Sequence, residues 1–101
     1  MVERISVLGS TGSIGVQTLD VAKNLNIKVE GLAANKNIEL LEKQAWEFKP
    51  RIVAVMDENM AEVLRSRLKD TSIEVAGGVE GLKKVASVEG AQTVVSAIVG
   101  I

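Results

Sequence analysis

Cysteine and histidine are both absent from these 101 residues. The first absence removes disulfides, thiolate metal sites and a cysteine nucleophile. The second removes the commonest general base and the commonest metal ligand. Tyrosine is missing too, and Trp46 and Phe48 are the sole aromatics, too few for a platform on which nucleic-acid bases could stack. The net charge is -1, so no nucleic-acid or membrane surface is indicated. No apolar run approaches the roughly 20 residues that cross a bilayer. Glu3 and Arg4 precede a short apolar run that glycine interrupts at once, which does not read as a signal peptide. Low-complexity segments are also lacking. What remains is 47% hydrophobic and 25% charged, the composition of a soluble globular chain. Its length fits one domain, residues 1–101, and a cytoplasmic setting is the default expectation.

Five β-like runs alternate with four helix-like runs. The pattern predicts strands over Arg4–Leu8, Lys28–Ala33, Ile52–Val55, Glu74–Ala76 and Thr93–Ser96. It predicts helices over Ser13–Asn24, Ile38–Phe48, Glu58–Lys69 and Val79–Ser87. Ile38, Leu41, Ala45 and Phe48 recur at helical spacing and predict one buried stripe. Met60, Val63, Leu64 and Leu68 predict another. Asn37 and Asp57 stand where N-caps belong, and Pro50 stops the second helix. Strand–helix alternation with short loops implies an α/β, Rossmann-like three-layer domain. Its parallel sheet of about five strands is expected in the order 3-2-1-4-5, with helices on both faces. The apolar end, Ala97-Ile98-Val99-Gly100-Ile101, has nothing after it to pack against, which suggests a domain cut from a longer enzyme.

The chemistry is expected at Gly9-Ser10-Thr11-Gly12-Ser13-Ile14-Gly15. This run follows the first strand and opens the first helix. Glycines at such a hinge let the backbone approach a pyrophosphate, and the helix N-terminus supplies N–H donors and a positive dipole end. Gly9 is expected to make the turn, Gly12 to clear space for the ligand and Gly15 to pack helix against sheet. Thr11 and Ser13 add hydroxyls, and the N–H groups of Gly12, Ser13 and Ile14 are expected to point along the helix start. A glycine-rich turn without a ligand is the bland alternative.

The end of the second strand decides which dinucleotide binds. An NAD site places an acid there for the ribose 2′-hydroxyl. Leu32-Ala33-Ala34-Asn35-Lys36-Asn37 has none. Lys36, two amides and the next helix N-terminus would instead suit a 2′-phosphate, so NADP is the preferred reading. Against it, Glu39 lies in the same first turn, and Lys36 could simply be solvated while Asn37 only caps. Beyond the fifth strand, Ala97 to Gly100 are small and apolar, which suits either a flat nicotinamide or ordinary packing. Gly77-Gly78 read as a turn and Asp57 as a cap. Glu30 and Lys28 share a strand face, as a pair or as a partly exposed patch.

Ile5-Ser6-Val7-Leu8-Gly9-Ser10-Thr11-Gly12-Ser13-Ile14-Gly15, followed by Thr18-Leu19-Asp20-Val21, closely resembles the N-terminus of the 1-deoxy-D-xylulose-5-phosphate reductoisomerase family. Leu32-Ala33-Ala34-Asn35-Lys36-Asn37, Phe48-Lys49-Pro50-Arg51 and Ala97-Ile98-Val99-Gly100 match its later motifs in order. The resemblance covers the whole chain. It implies the NADPH-binding domain of an enzyme that converts 1-deoxy-D-xylulose 5-phosphate to 2-C-methyl-D-erythritol 4-phosphate, using a divalent metal, magnesium or manganese. It implies NADPH contacts at Thr11, Gly12, Ser13, Ile14, Lys36 and Asn37, and at Asn35, where some relatives have glycine. Catalytic and metal-binding residues, the phosphosugar site and the active-site loop would lie beyond residue 101. The chain alone would then be inactive, the parent a homodimer, and the exposed last strand a site for self-association. The alternatives are the cofactor domain of another NADP-dependent reductase or semialdehyde dehydrogenase, and a non-catalytic nucleotide sensor.

Overall fold

Strands and helices alternate strictly along residues 3–97, the part of the chain that the computed structural model describes. The elements are β1 (Arg4–Leu8), α1 (Ser13–Asn24), β2 (Lys28–Ala34), α2 (Ile38–Phe48), β3 (Ile52–Val55), α3 (Glu58–Arg67), β4 (Glu74–Gly77), α4 (Gly78–Ala86) and β5 (Thr93–Ser96). Each expected element is present. The third helix ends at Arg67 rather than Lys69, because Leu68 caps it and the Leu68 carbonyl then accepts from the Thr71 backbone and hydroxyl. The fourth starts at Gly78, directly on the end of β4.

All strand pairs are parallel, and the sheet order is β4-β3-β2-β1-β5. The three-layer α/β reading holds, but the expected order 3-2-1-4-5 does not. The fourth strand joins the outer edge of β3, and the fifth alone crosses to the far side of β1. Alternation fixes parallel strands and right-handed crossovers, but leaves open which edge each new strand joins. Val53↔Val75 and Ala54↔Ala76 pair at the β3 edge. Three crossovers therefore step the same way and put α1, α2 and α3 on one face. The return from β4 to β5 puts α4 on the other.

Two cores follow from this layering. Leu19, Ala22, Leu41, Ala45, Ala61 and Leu64 from the three-helix side pack on Val7, Val53 and Val55. On the opposite face Val85 and Leu82 of α4 pack on Ala33, Ile52, Ala54 and Ala76. β3 is buried throughout because both its faces are covered, as its unbroken apolar run requires. Along α2, Ile38, Leu41 and Ala45 are buried and Phe48 packs at the margin, as expected. Along α3 the inner row is Ala61, Leu64 and the capping Leu68, with Met60 at the margin; Val63 is turned outward, contrary to expectation. Residues 61, 64 and 68 share one helical face, and Val63 lies one step of about 100° away from Leu64.

The caps are where the sequence placed them. Asp57 Oδ1 accepts from the Asn59 and Met60 N–H groups at 3.0 and 3.1 Å. Asn37 Oδ1 accepts from Leu40 N–H at 3.3 Å. Lys49, in the left-handed region at φ 49°, closes α2 just before Pro50 by donating to the Ala45 carbonyl. Replacing Asp57 by alanine is expected to cost about 1 kcal/mol, with Asp57→Asn close to neutral. Thermal unfolding of the two variants checks this, and equal stabilities would refute the cap's contribution.

At the N-terminal end of the strands, β1 pairs Ile5 with Val29 and Ser6 with Gly31, so Glu30 is skipped as a bulge. Its side chain is 1% exposed, with Arg51 Nε 3.3 Å from Oε2 and Lys28 Nζ 3.9 Å from Oε1. The pair with Lys28 is thus present, and the partly exposed patch is not. Nearby, Lys23 and Glu47 join α1 to α2 at 2.8 Å. Hydrogen bonding to Glu47, then its charge, raises the exposed Lys23 ammonium above its ordinary 10.5.

Candidate functional site

The glycine run leaves the C-terminal end of β1 and is anchored at once to β2. Gly9 and Ser10 both donate their N–H groups to the Ala33 carbonyl, at 2.8 and 2.9 Å. Gly9 turns at φ 81°, a conformation open to glycine and strained for side chains. A Cβ on Gly15 would overlap the Gly9 carbonyl oxygen and lie 2.7 Å from Ser10 Cα. Glycine at 15 is therefore what lets α1 start directly against its own loop. Gly12 is different: an added Cβ there would find only the Gly9 oxygen, at 3.7 Å. Its missing side chain opens space on the outer side of the loop.

α1 begins at Ser13 with Gly12 as N-cap, no side-chain cap and no acid in its first turn. A helix start of this kind leaves N–H groups unpaired and carries a positive partial charge. Thr11 is half-buried, while Gly12, Ser13 and Ile14 are exposed around this start. The Gly12 N–H already donates to the Gly9 carbonyl at 3.3 Å, because the turn closes on itself there. Among the described residues no backbone carbonyl accepts from the Ser13 or Ile14 N–H.

The end of β2 lies beside this loop through the shared Ala33 carbonyl. Leu32, Ala33 and Ala34 are buried, whereas Asn35, Lys36 and Asn37 emerge into solvent at the start of α2. The Asn35 carbonyl accepts from Asp57 N–H and the Lys36 carbonyl from Ile38 N–H. Those bonds hold the turn and leave the Asn35 and Lys36 side chains outward. Among the described residues Lys36 forms no ion pair. No carboxylate occupies the end of β2. Asp57, which reaches this edge, commits Oδ1 to the first turn of α3. Glu39 is exposed in the first turn of α2.

Two site residues escaped the sequence reading. Ser10 is fully buried, and Gln44 of α2 is 6% exposed with its Nε2 2.9 Å from the Ser10 carbonyl oxygen. The signal was present: Gln44 falls within the apolar stripe between Leu41 and Ala45, where a polar residue needs a partner.

β1 stands between β2 and β5, so the strand order reverses beside it. Ligands of open α/β sheets sit at such a reversal, beyond the carboxyl ends of the strands. Ala97 marks the second wall, buried and donating to the Leu8 carbonyl at 2.7 Å. Ile98, Val99 and Gly100 lie outside the described residues. Among the described residues no group of three or more potential ligands could hold a metal ion, and no helix is long and apolar enough to cross a membrane. A cleft of about 300 Å³ lined by Lys23, Ile27, Lys28, Glu47 and Phe48 opens at the opposite end of the strands. It has no part in the glycine-loop site.

The family model described as 1-deoxy-D-xylulose 5-phosphate reductoisomerase matches residues 5–101. A reductoisomerase of that name from Acetivibrio thermocellus is 76% identical over 88 residues, covering 87% of this chain and 23% of its own. Its counterpart from Ruminiclostridium cellulolyticum is 52% identical over 100 residues, 99% of this chain and 26% of its own. This chain thus spans about a quarter of the length of the curated relatives it matches. Among solved structures, the Zymomonas mobilis enzyme in complex with NADPH superposes with a TM-score of 0.89 at 31% identity, over 99% of this chain and 27% of that one. A reductoisomerase complex with NADPH, fosmidomycin and magnesium superposes with a TM-score of 0.88 at 31% identity, over 97% of this chain and 25% of that one.

Proposed function

The chain belongs to the 1-deoxy-D-xylulose 5-phosphate reductoisomerase family, and on that premise we propose that it is the part of such an enzyme that holds NADPH. The observation that carries this is the edge shared by two helix starts. An uncapped α1 N-terminus follows the glycine loop, and an acid-free β2 end presents Lys36 at the start of α2. The pyrophosphate would lie on Thr11, Gly12, Ser13 and Ile14, over the space that Gly12 leaves open. The 2′-phosphate of the adenosine would lie among Asn35, Lys36 and Asn37, where Lys36 offers a charge and the helix start its dipole.

Bound there, NADPH supplies the hydride of the reductive step. This chain's residues would bind and orient it, with the small, buried Ala97 beside Leu8 at the strand reversal. The described residues do not fit a divalent metal. The conversion of 1-deoxy-D-xylulose 5-phosphate to 2-C-methyl-D-erythritol 4-phosphate would then require residues outside these 101, and the chain alone would not catalyse it. A homodimeric, cytoplasmic whole enzyme acting on a phosphosugar belongs to the same proposal.

The test is a calorimetric titration of the chain and of Lys36→Ala with NADPH and with NADH. The unaltered chain is expected to prefer NADPH. The variant should lose about 1.5–3 kcal/mol of NADPH binding, roughly tenfold or more, and little of NADH binding. Equal losses for the two cofactors would remove the role given to Lys36, and no binding of either would remove the proposal.

A further inference from the structure

The geometry points to Gln44 as the positioning residue that aims the Thr11 N–H at the cofactor's pyrophosphate, an inference that rests on the NADPH reading above. Gln44 sits in the buried stripe of α2, between Leu41 and Ala45. A leucine or methionine there would continue the stripe without any polar burden. An amide in such a place is costly unless bonded. The bond it makes, from Nε2 to the Ser10 carbonyl at 2.9 Å, reaches 34 residues back along the chain to the glycine loop.

The Ser10 carbonyl and the Thr11 N–H belong to one planar trans peptide and point in opposite directions. Drawing the carbonyl inward to Gln44 therefore turns the Thr11 N–H outward, away from α2. Among the described residues no backbone carbonyl accepts that N–H. The preceding peptide is fixed as well, because the Ser10 N–H is held by the Ala33 carbonyl. Two successive peptide planes are pinned, one by β2 and one by α2, and the donor left over belongs to the residue beside Gly12, where an added Cβ would meet only the Gly9 oxygen, at 3.7 Å. Released from Gln44, the same peptide could turn over and present its carbonyl oxygen to a phosphate, exchanging attraction for repulsion. Gln44 also stands two helical turns after Asn37, so one rigid helix ties the loop to the Lys36 corner.

The experiment compares the unaltered chain with Gln44→Met, which keeps the length of the side chain and removes the donor. Both are titrated with NADPH, NADH and adenosine 2′-phosphate, which lacks the pyrophosphate, and the Thr11 amide is followed in a proton–nitrogen correlation spectrum. Gln44→Met is expected to weaken NADPH and NADH by the same factor, roughly tenfold or more, and to leave adenosine 2′-phosphate within about twofold. In the unaltered chain NADPH should shift the Thr11 amide proton downfield, and in Gln44→Met it should not. Undiminished NADPH binding by the variant overturns the inference. So does an equal loss for adenosine 2′-phosphate, which would mean that the helix as a whole had been disturbed. A Thr11 amide that ignores NADPH in the unaltered chain overturns it without recourse to any variant. If the unaltered chain binds adenosine 2′-phosphate and NADPH normally, the cofactor reading survives these failures; if it binds neither, both fall.

Discussion

Gly15→Ala is expected to destabilise the chain by about 3 kcal/mol or more and to abolish dinucleotide binding. The added methyl group would overlap the Gly9 carbonyl oxygen and lie 2.7 Å from Ser10 Cα and 2.9 Å from the Gly9 carbonyl carbon. Every one of these neighbours is backbone, so no rotamer change relieves the overlap. Either α1 moves away from the end of β1, or the loop gives up the two bonds from Gly9 and Ser10 to Ala33. Both routes separate the uncapped helix start from the loop that precedes it. Gly12→Ala is the control, since its Cβ meets nothing closer than 3.7 Å. It should fold nearly as well as the unaltered chain while still weakening NADPH through lost clearance. Urea unfolding and cofactor titration of the two variants separate the effects. A Gly15→Ala chain as stable as Gly12→Ala would refute this account of the loop.

The second large effect lies at the other end of the sheet, and it is an asymmetry. Removing Arg51 by Arg51→Met should cost about 3 kcal/mol, because among the described residues it leaves the buried Glu30 carboxylate with Lys28 as its one ion-pair partner, at 3.9 Å. Glu30→Met should cost far less, or nothing. Arg51 and Lys28 are more than half exposed and water can hydrate their charges once the carboxylate is gone. The double variant should behave like Glu30→Met alone. Unfolding free energies of the three variants decide it, and equal costs for the two single changes would show that the buried carboxylate does not depend on Arg51. Gly90 packs against the same carboxylate so closely that a Cβ on it would lie 2.6 Å from Glu30 Oε2.

The elements were legible because each carries its own local signal. The α2 stripe, the caps at Asn37 and Asp57, and the stop before Pro50 all depend on residues within a turn or two of one another. The glycine loop was legible for the same reason, and the structure brings it beside the Asn35–Asn37 corner through Ala33. The strand order was not legible. It depends on whether β4 gains more at the edge of β3 or of β1, and that is a comparison between surfaces assembled from distant residues. Val63 was misplaced because four apolar residues in α3 compete for a face that admits a row containing Ala61 instead. Alternation accounts for the Lys28–Glu30 pair, but not for the burial of Glu30 or its Arg51 partner, because the bulge takes Glu30 out of register with β1. Gln44 was overlooked because its partner is a backbone carbonyl, which no side-chain pattern reveals.

The single reversal in strand order also sets an order of assembly. The first four strands can join one after another through local crossovers, but β1 keeps an open edge until β5 arrives. The Gln92 side chain then meets the Glu3 N–H from 89 residues away. With the first four strands in place only the segment after β4 has still to close, and its ladder to β1 has four residue pairs, as the β3–β4 ladder does. The wall that carries Ala97 therefore depends on a contact between the two ends of the described fold. The glycine loop is built from residues 9–15, yet its crevice gains a second wall only when residues 93–97 have joined β1.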